Sequence, residues 1–283
     1  MEMNEKKIRE LQNVAGRIRI ECLKSIFQAG SGHPGGSFSA AEIMAVLYFN
    51  QMNIDPSDPF CPTRDRFILS KGHVAPVLYT TLALRGFFPT EELGTLRKIG
   101  SRLQGHPAYL KLPGVDMTSG SLGQGLSIGL GMRIAGRLKK ESFKVYVLLG
   151  DGEIQEGQVW EAAMAAAHFR INHLIAVLDH NNVQLDGSVA EIMDLAPIRE
   201  KWQAFGWQVL EANGHDVREL VSQLGIAAEL AKDRPVILLA TTVKGKCVSF
   251  MENNASWHGV SPDAEQMQQA MRELQEQLVK DTP

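Results

Sequence analysis

Cysteine is scarce: Cys22, Cys61 and Cys247 are the only three in 283 residues, and none falls in a C-x-x-C pair. An odd, scattered set excludes a disulfide framework and a zinc ribbon, and it fits a reducing compartment. No run of 18 apolar residues occurs, so no membrane span is expected. The N-terminal MEMNEKKIRE has no apolar h-region, so a cytoplasmic location is expected. Charge of one sign is also lacking. Lys and Arg number 29 against 32 Asp and Glu, a net charge of -3, which leaves no electrostatic footprint for nucleic acid or an anionic membrane. There is no G-x-x-x-x-G-K-[ST], no low-complexity tract, no repeat and no linker. What remains is an ordinary globular composition, 44% apolar and 22% charged, in a chain long enough to bury a core without staples.

The apolar pattern alternates between two periods. Ile8, Leu11, Ala15, Ile18, Cys22 and Ile26 recur at spacings of three and four, which predicts an amphipathic helix over 5–29. After the glycine-rich GSGHPGGS, Ser39 and Glu42 form an S-x-x-E capping pattern, predicting a second helix from Ser39. Phe67–Ser70 reads as a short strand, 74–86 as a helix ending at Gly86, and 101–119 as irregular loop. Residues 120–140 keep a helical period despite six glycines, each costing roughly 1 kcal/mol against Ala in a helix interior. Something is therefore expected to pack close to that backbone. KVYVLLG (144–150), the helix over 155–170 and HLIAVLD (173–179) make a βαβ unit with parallel strands. Strand 207–212, helix 216–231 and strand 235–242 repeat the theme. Ser261 as N-cap and Pro262 as first residue open a last helix, 262–281. The alternation predicts one α/β domain over 1–283, a doubly wound parallel sheet with helices on both faces.

Gly30-Ser31-Gly32-His33-Pro34-Gly35 matches G-x-G-x-x-G, with Asp55 about 20 residues on. A helix precedes it where a dinucleotide site needs a strand, so that reading is set aside. Gly150-Asp151-Gly152 is different. It lies at the carboxyl end of a strand, and Asn181-Asn182 lies just past the end of the next, one helix and one strand later. The two clusters should face each other where open α/β sheets bind ligands. Asp151 offers a carboxylate, Asn181 an amide oxygen, and Gly152 a close approach to the backbone. One carboxylate, one amide and a diphosphate suit magnesium, which keeps few protein ligands. A tight turn with two polar loop residues is the plain alternative. Of eight histidines, His33, His73, His106 and His258 sit beside glycine in loops, where they could bind phosphate or hydroxyl groups or move protons. His168, His173 and His180 lack metal-ligand spacing and read as structural, and Asp216, after His215, as a helix N-cap.

These residues carry a resemblance. SGHPGGSFSAAEIM, LSKGH, QGHP, TSGSLGQGLSIGLGMR, GDGEIQEGQVWEAA and LDHNNVQLDG, in that order between about 10 and 260, resemble the transketolase family, and the GDG and NN pair resembles its thiamine diphosphate motif. The resemblance implies thiamine diphosphate with Mg2+ or Ca2+, the metal held by Asp151, Asn181 and the backbone oxygen of Val183. It places His73, Gly152, Glu153 and Lys244 around the diphosphate and Gly120, Ser121 and Leu122 against the thiamine rings. His33, His106 and His258 would line a substrate funnel, His258 also near the cofactor. Glu156 would pair across a subunit interface with the glutamate that activates the cofactor. His180 departs from the family, many of whose members carry an acidic residue there. A complete transketolase chain is more than twice as long, its second domain supplying that glutamate and the aminopyrimidine site. The resemblance thus implies the N-terminal subunit of a split enzyme, with a C-terminal partner chain in an α2β2 complex, moving a two-carbon ketol unit between sugar phosphates. A deoxyxylulose phosphate synthase-like enzyme and a non-catalytic homologue are the alternatives.

Overall fold

The computed structural model describes residues 4–185 and 187–278. Helix α1 (Glu5–Ala29) buries Ile8, Leu11, Ala15, Ile18, Cys22 and Ile26, the stripe its spacing predicts. Asn4 caps its start, and Gly30 ends it in the left-handed conformation at φ 63°. The chain then departs from the predicted capping pattern. Helix α2 (Pro34–Ser39) begins inside the glycine-rich segment with Pro34 in its first turn, and α3 (Ala41–Val46) follows after Ala40. Ser39 caps nothing. Its hydroxyl turns inward to Asp179, while Glu42 turns to Arg19. Both side chains are engaged by tertiary partners, which outweigh the local cap.

Strand β1 (Arg66–Leu69) leads through α4 (Ala75–Arg85), the irregular 101–119 and α5 (Gln124–Leu138) to β2 (Val145–Gly150). Helix α6 (Gly157–His168) connects β2 to β3 (Leu174–His180). The short pair β4 (Val183–Gln184) and β5 (Gly187–Ser188), then α7 (Val189–Met193) and α8 (Ile198–Ala204), lead to β6 (Gln208–Asn213). Helix α9 (Val217–Leu230), capped by Asp216 as predicted, leads to β7 (Val236–Thr241). The final helix, α10 (Ala264–Glu276), is capped by Asp263 in a box with Gln266, two residues beyond the predicted Ser261. The expected extension to 281 runs beyond Leu278 and so outside the described residues.

The five long strands run parallel in the order β1-β2-β3-β7-β6. The chain skips from β3 to the edge strand β6 and returns to β7, so the winding reverses at β6. One core contains Tyr146, Leu148, Ile175, Val177 and Leu238 with α1, α3, α4 and α9; the other contains Val147, Leu149, Ala176, Leu178 and Ile237 with α5 and α6. Strands covered on both faces explain the unbroken apolar runs. Gly150 pairs with Asp179, and His180 with Thr241, so the carboxyl ends of β2, β3 and β7 are level. No described helix is long and apolar enough to cross a membrane.

The α5 glycines answer to the sheet. A Cβ on Gly125 would meet Ser70 Cβ at 2.4 Å and its Cα at 3.0 Å; one on Gly129 would meet Val147 at 2.9 Å. Gly131 faces open space. Gly125→Ala therefore forces helix from strand and costs about 1–3 kcal/mol, whereas Gly131→Ala gains roughly 1 kcal/mol of helix propensity. Thermal unfolding should show a lower midpoint for the first variant and a higher one for the second. A reversed order would overturn this account of the packing.

Candidate active site at the carboxyl ends of the strands

The level strand ends open into a cleft of about 410 Å³. Its walls include His33, His73, Gly120, Leu122, Asp151, Gly152, Glu153, Glu156, Asn181, Val183, Lys244 and His258, twelve of the residues selected from the sequence. Ser121 and His106 are exposed and do not line it. His106 stays in the neighbourhood, since it and Arg97 both help to lower the His33 pKa after burial. A larger, more open groove of about 900 Å³ runs along β6 and β7 but gathers no such set.

Asp151 is buried, and its carboxylate accepts the backbone N–H of Asn182 at 2.5 Å and faces His180 Nδ1 at 2.7 Å. That pairing raises the His180 pKa above its ordinary value, against burial. His180, read as structural from the sequence, is thus part of the Asp151 environment. Asn182 holds φ 61°, the left-handed turn that carries the chain away from β3. Asn181 Oδ1 accepts the Val183 N–H at 3.2 Å, and Val183 O accepts from Lys244 Nζ at 3.1 Å. The lysine ammonium is a positive charge against an oxygen predicted to face a metal. Burial, then the charge of Lys71, lowers the Lys244 pKa to about 8. Lys244 Nζ also lies 2.9 Å from His258 Nδ1.

Three histidine rings crowd the cleft, with centroids 5.0 Å apart for His33 and His73 and 5.3 Å for each of them with His258. Burial first, then nearby cations, pushes His33 and His258 down to about 4 and His73 lower still. All three are neutral near pH 7. His33 Nδ1 is buried without a hydrogen-bond partner among the described residues. Gly259 packs against the same ring, where a Cβ would stand 3.2 Å from Nε2.

Glu153 lines the cleft and is tied into its wall. Its oxygens accept from Ser70 Oγ and from the backbone N–H groups of Gly123 and Gly150, the latter two each at 3.0 Å. It ties the ends of β1 and β2 to the start of α5, and burial raises its pKa. Glu156 is exposed at the start of α6, pressed close to Gly123. Gly120 borders the cleft with open space where a Cβ would be.

Sequence reasoning missed the floor. Asp179, at the end of β3, is fully buried and accepts from Lys71 Nζ, from Ser39 Oγ at 2.5 Å and from Thr242 Oγ1. Lys71 Nζ also donates to Gly36 O at 3.2 Å. Burial would raise Asp179, but Lys71 and the two hydroxyls outweigh it and hold its pKa down. A carboxylate closing an otherwise apolar, doubly covered strand was the available signal.

Among the described residues no three His, Cys, Asp or Glu side chains are grouped to hold a metal. A set of one carboxylate, one amide and one backbone carbonyl lies outside that kind of cluster and is the oxygen chemistry of magnesium. The buried, unpartnered His33 nitrogen and the glycine-lined wall fit a polar ligand.

Comparison with known proteins shows the family. Residues 11–277 match the family model described as transketolase, thiamine diphosphate binding domain. The chain is 44% identical over 275 residues to the 6-deoxy-6-sulfo-D-fructose transketolase subunit SqwG of Clostridium sp. (strain MSTE9), covering 97% of this chain and 99% of that one. It is 41% identical to an apulose-4-phosphate transketolase subunit of Phocaeicola vulgatus, covering 96% and 95%. Among solved structures, transketolase from Campylobacter jejuni superposes with a TM-score of 0.89 at 29% identity, over 96% of this chain but 43% of that one. This chain thus spans less than half the length of the solved transketolases it matches. It matches the family's thiamine diphosphate binding domain and belongs to the transketolase family of transferases.

Proposed function

We propose that this chain is the thiamine diphosphate- and magnesium-binding subunit of a two-chain transketolase, with calcium as an alternative metal. It would transfer a two-carbon ketol unit between sugar phosphates or similarly anionic sugars. The observation that carries this is the meeting of Asp151, Asn181, Val183 and Lys244 with three neutral histidines in one cleft at the strand ends. Asp151, Asn181 and the Val183 carbonyl are the ligands proposed for the metal. Lys244 would turn from Val183 O to the diphosphate, while Gly152 lets the backbone approach it. Thiamine diphosphate, when bound, supplies the carbanion chemistry. The protein's own groups orient and exclude. His33 and His258, neutral at pH 7, can each donate one hydrogen bond and accept another, which suits sugar hydroxyls. His106 would reach the sugar from the cleft mouth, and Gly120, Ser121 and Leu122 would flank the rings. The exposed Glu156 would lie on the subunit boundary, towards a partner that brings the aminopyrimidine site and the activating glutamate. Two copies of each chain would complete two sites.

In calorimetric titration with thiamine diphosphate and magnesium, Asp151→Ala should weaken binding by roughly 10- to 100-fold, the scale of a lost contact to a charged group. Wild-type affinity in that variant would remove the metal assignment. A ketol-transfer assay with xylulose 5-phosphate and ribose 5-phosphate should be silent for this chain alone and active once the partner chain is added. Turnover by the chain alone would overturn the need for a partner.

The histidines also set a pH dependence. His33, His73 and His258 resist protonation in the fold, so below about pH 6.5 the unfolded chain binds protons that the folded chain does not. Their contribution is complete above that pH and is lost as pH falls towards about 4; His180, raised by Asp151, acts in the opposite sense. The denaturation midpoint should fall between pH 6.5 and 5, and a His33→Asn, His258→Asn double variant should show a shallower slope. An unchanged slope would mean that these rings are already charged in the fold.

A further inference from the structure

His215, like His168 and His173, has no part in the proposed chemistry. It follows β6 in the turn before α9 and does not line the cleft. Both ring nitrogens are nonetheless engaged. Nε2 accepts the backbone N–H of Val243 at 2.8 Å, and Nδ1 lies 3.0 Å from Glu42 Oε2. A nitrogen that accepts carries no proton, so the ring is the neutral tautomer with its hydrogen on Nδ1, donated to Glu42. Glu42 also accepts from Arg19, Nη1 at 2.7 Å and Nη2 at 2.5 Å. Burial would raise the Glu42 pKa, but Arg19 and His215 together hold it at about 2. The guanidinium reaches further, with Nε and Nη2 donating to Phe38 O at 3.1 and 2.9 Å.

The two ends of this network lie next to the site. Val243 stands between Thr242, whose hydroxyl donates to Asp179, and Lys244, whose ammonium meets Val183 O and His258. Phe38 precedes Ser39, whose hydroxyl donates to the other oxygen of Asp179. One network, buried at Arg19 and Glu42 and partly buried at His215, therefore grips the backbone beside each of the hydroxyls that hold Asp179, and beside the lysine.

We propose that His215 is a positioning residue: through the Val243 N–H it sets the Thr242–Lys244 segment for cofactor binding, while Arg19 and Glu42, to which it is joined, set Phe38–Ser39. This rests on reading the cleft as a diphosphate and metal site. His215 acts through its neighbours and touches no reacting atom.

Two amides separate the roles of the two nitrogens. In His215→Gln the longer side chain brings an oxygen near the Nε2 position, where it can accept from Val243. In His215→Asn the amide reaches only the Nδ1 position, keeping a donor for Glu42 and leaving the Val243 N–H unpaired. The full-length chain carrying each variant is titrated with thiamine diphosphate and magnesium, and hydrogen exchange over 241–245 is followed without cofactor. The Asn variant should bind the cofactor about tenfold more weakly, the scale of one lost hydrogen bond at a partly buried group, and exchange faster at Val243. The Gln variant should stay within about threefold of wild type on the same scale. Equal losses in both variants, tracking their melting temperatures, would make the role purely structural and overturn the proposal. So would wild-type binding and exchange in the Asn variant. Should wild type fail to bind the cofactor even with the partner chain present, the reading of the cleft falls, and exchange at Val243 in the two variants still decides whether His215 positions the segment.

Discussion

The buried charge of Asp179 is the constraint on which the site depends. A carboxylate at the end of a fully covered central strand is costly to desolvate unless every lone pair is met. Here Lys71 brings the compensating charge from the turn after β1, Ser39 a hydroxyl from α2, and Thr242 another from the segment after β7. Three segments far apart in sequence are drawn to one point under the cleft. Each carries a neighbour that faces the cleft: Gly36 in α2, His73 after Lys71, and Lys244 after Thr242. The pair adds little net stability by itself, since Coulomb attraction and desolvation largely offset. Its consequence is register, because no member can move without leaving a buried charge or hydroxyl unpaired.

Above that floor the electrostatics follow a simple order. Lys71 is neutralised by Asp179, whereas Lys244 is partly desolvated and shares its hydrogen bonds with a carbonyl and a histidine. Burial first, then these cations and, for His33, Arg97, keep His33, His73 and His258 uncharged. A cleft of neutral imidazoles around one or two cations suits an anionic ligand bearing hydroxyl groups. Protonated histidines there would repel one another and lose the capacity to accept. Glu153 adds a carboxylate at the wall, but its oxygens face Ser70 and two backbone N–H groups, so it serves to hold α5 against the strand ends.

Much of this could be read from the residues in order. Parallel strands covered on both faces show as unbroken apolar runs, and the β2-α6-β3 spacing brings Asp151 and Asn181 together before any coordinates are known. Local rules failed where tertiary partners won. Ser39 and Glu42 look like a capping pair, yet a buried carboxylate and a buried guanidinium claim them. The last helix starts at Asp263 and not at Ser261-Pro262, because Asp263 and Gln266 cap each other reciprocally. Asp179 and Lys71 were illegible as a pair, since 108 residues separate them and only the sheet order makes them neighbours. His180 lacked ligand spacing; the pairing of Gly150 with Asp179 sets the next residues, Asp151 and His180, side by side.

The glycines of α5 show how one pattern can serve two masters. From the sequence they suggested that something packs close to the helix backbone. At Gly125 and Gly129 the close neighbour is the sheet, whereas Gly120, before the helix begins, faces the cleft with nothing beside it. The costly helix positions thus bring α5 down onto β1 and β2, and through Glu153 this fixes the loop at 120–123 as one wall. A wall set by packing stays in place without ligand, so binding need not supply the order. The other wall is held differently, by hydrogen bonds running from Arg19 through Glu42 and His215 to Val243. A cleft with one wall fixed by van der Waals contact and the other by polar links should respond unequally to substitution. Changes near Gly125 should act on stability, and changes along the polar links on the placement of Lys244.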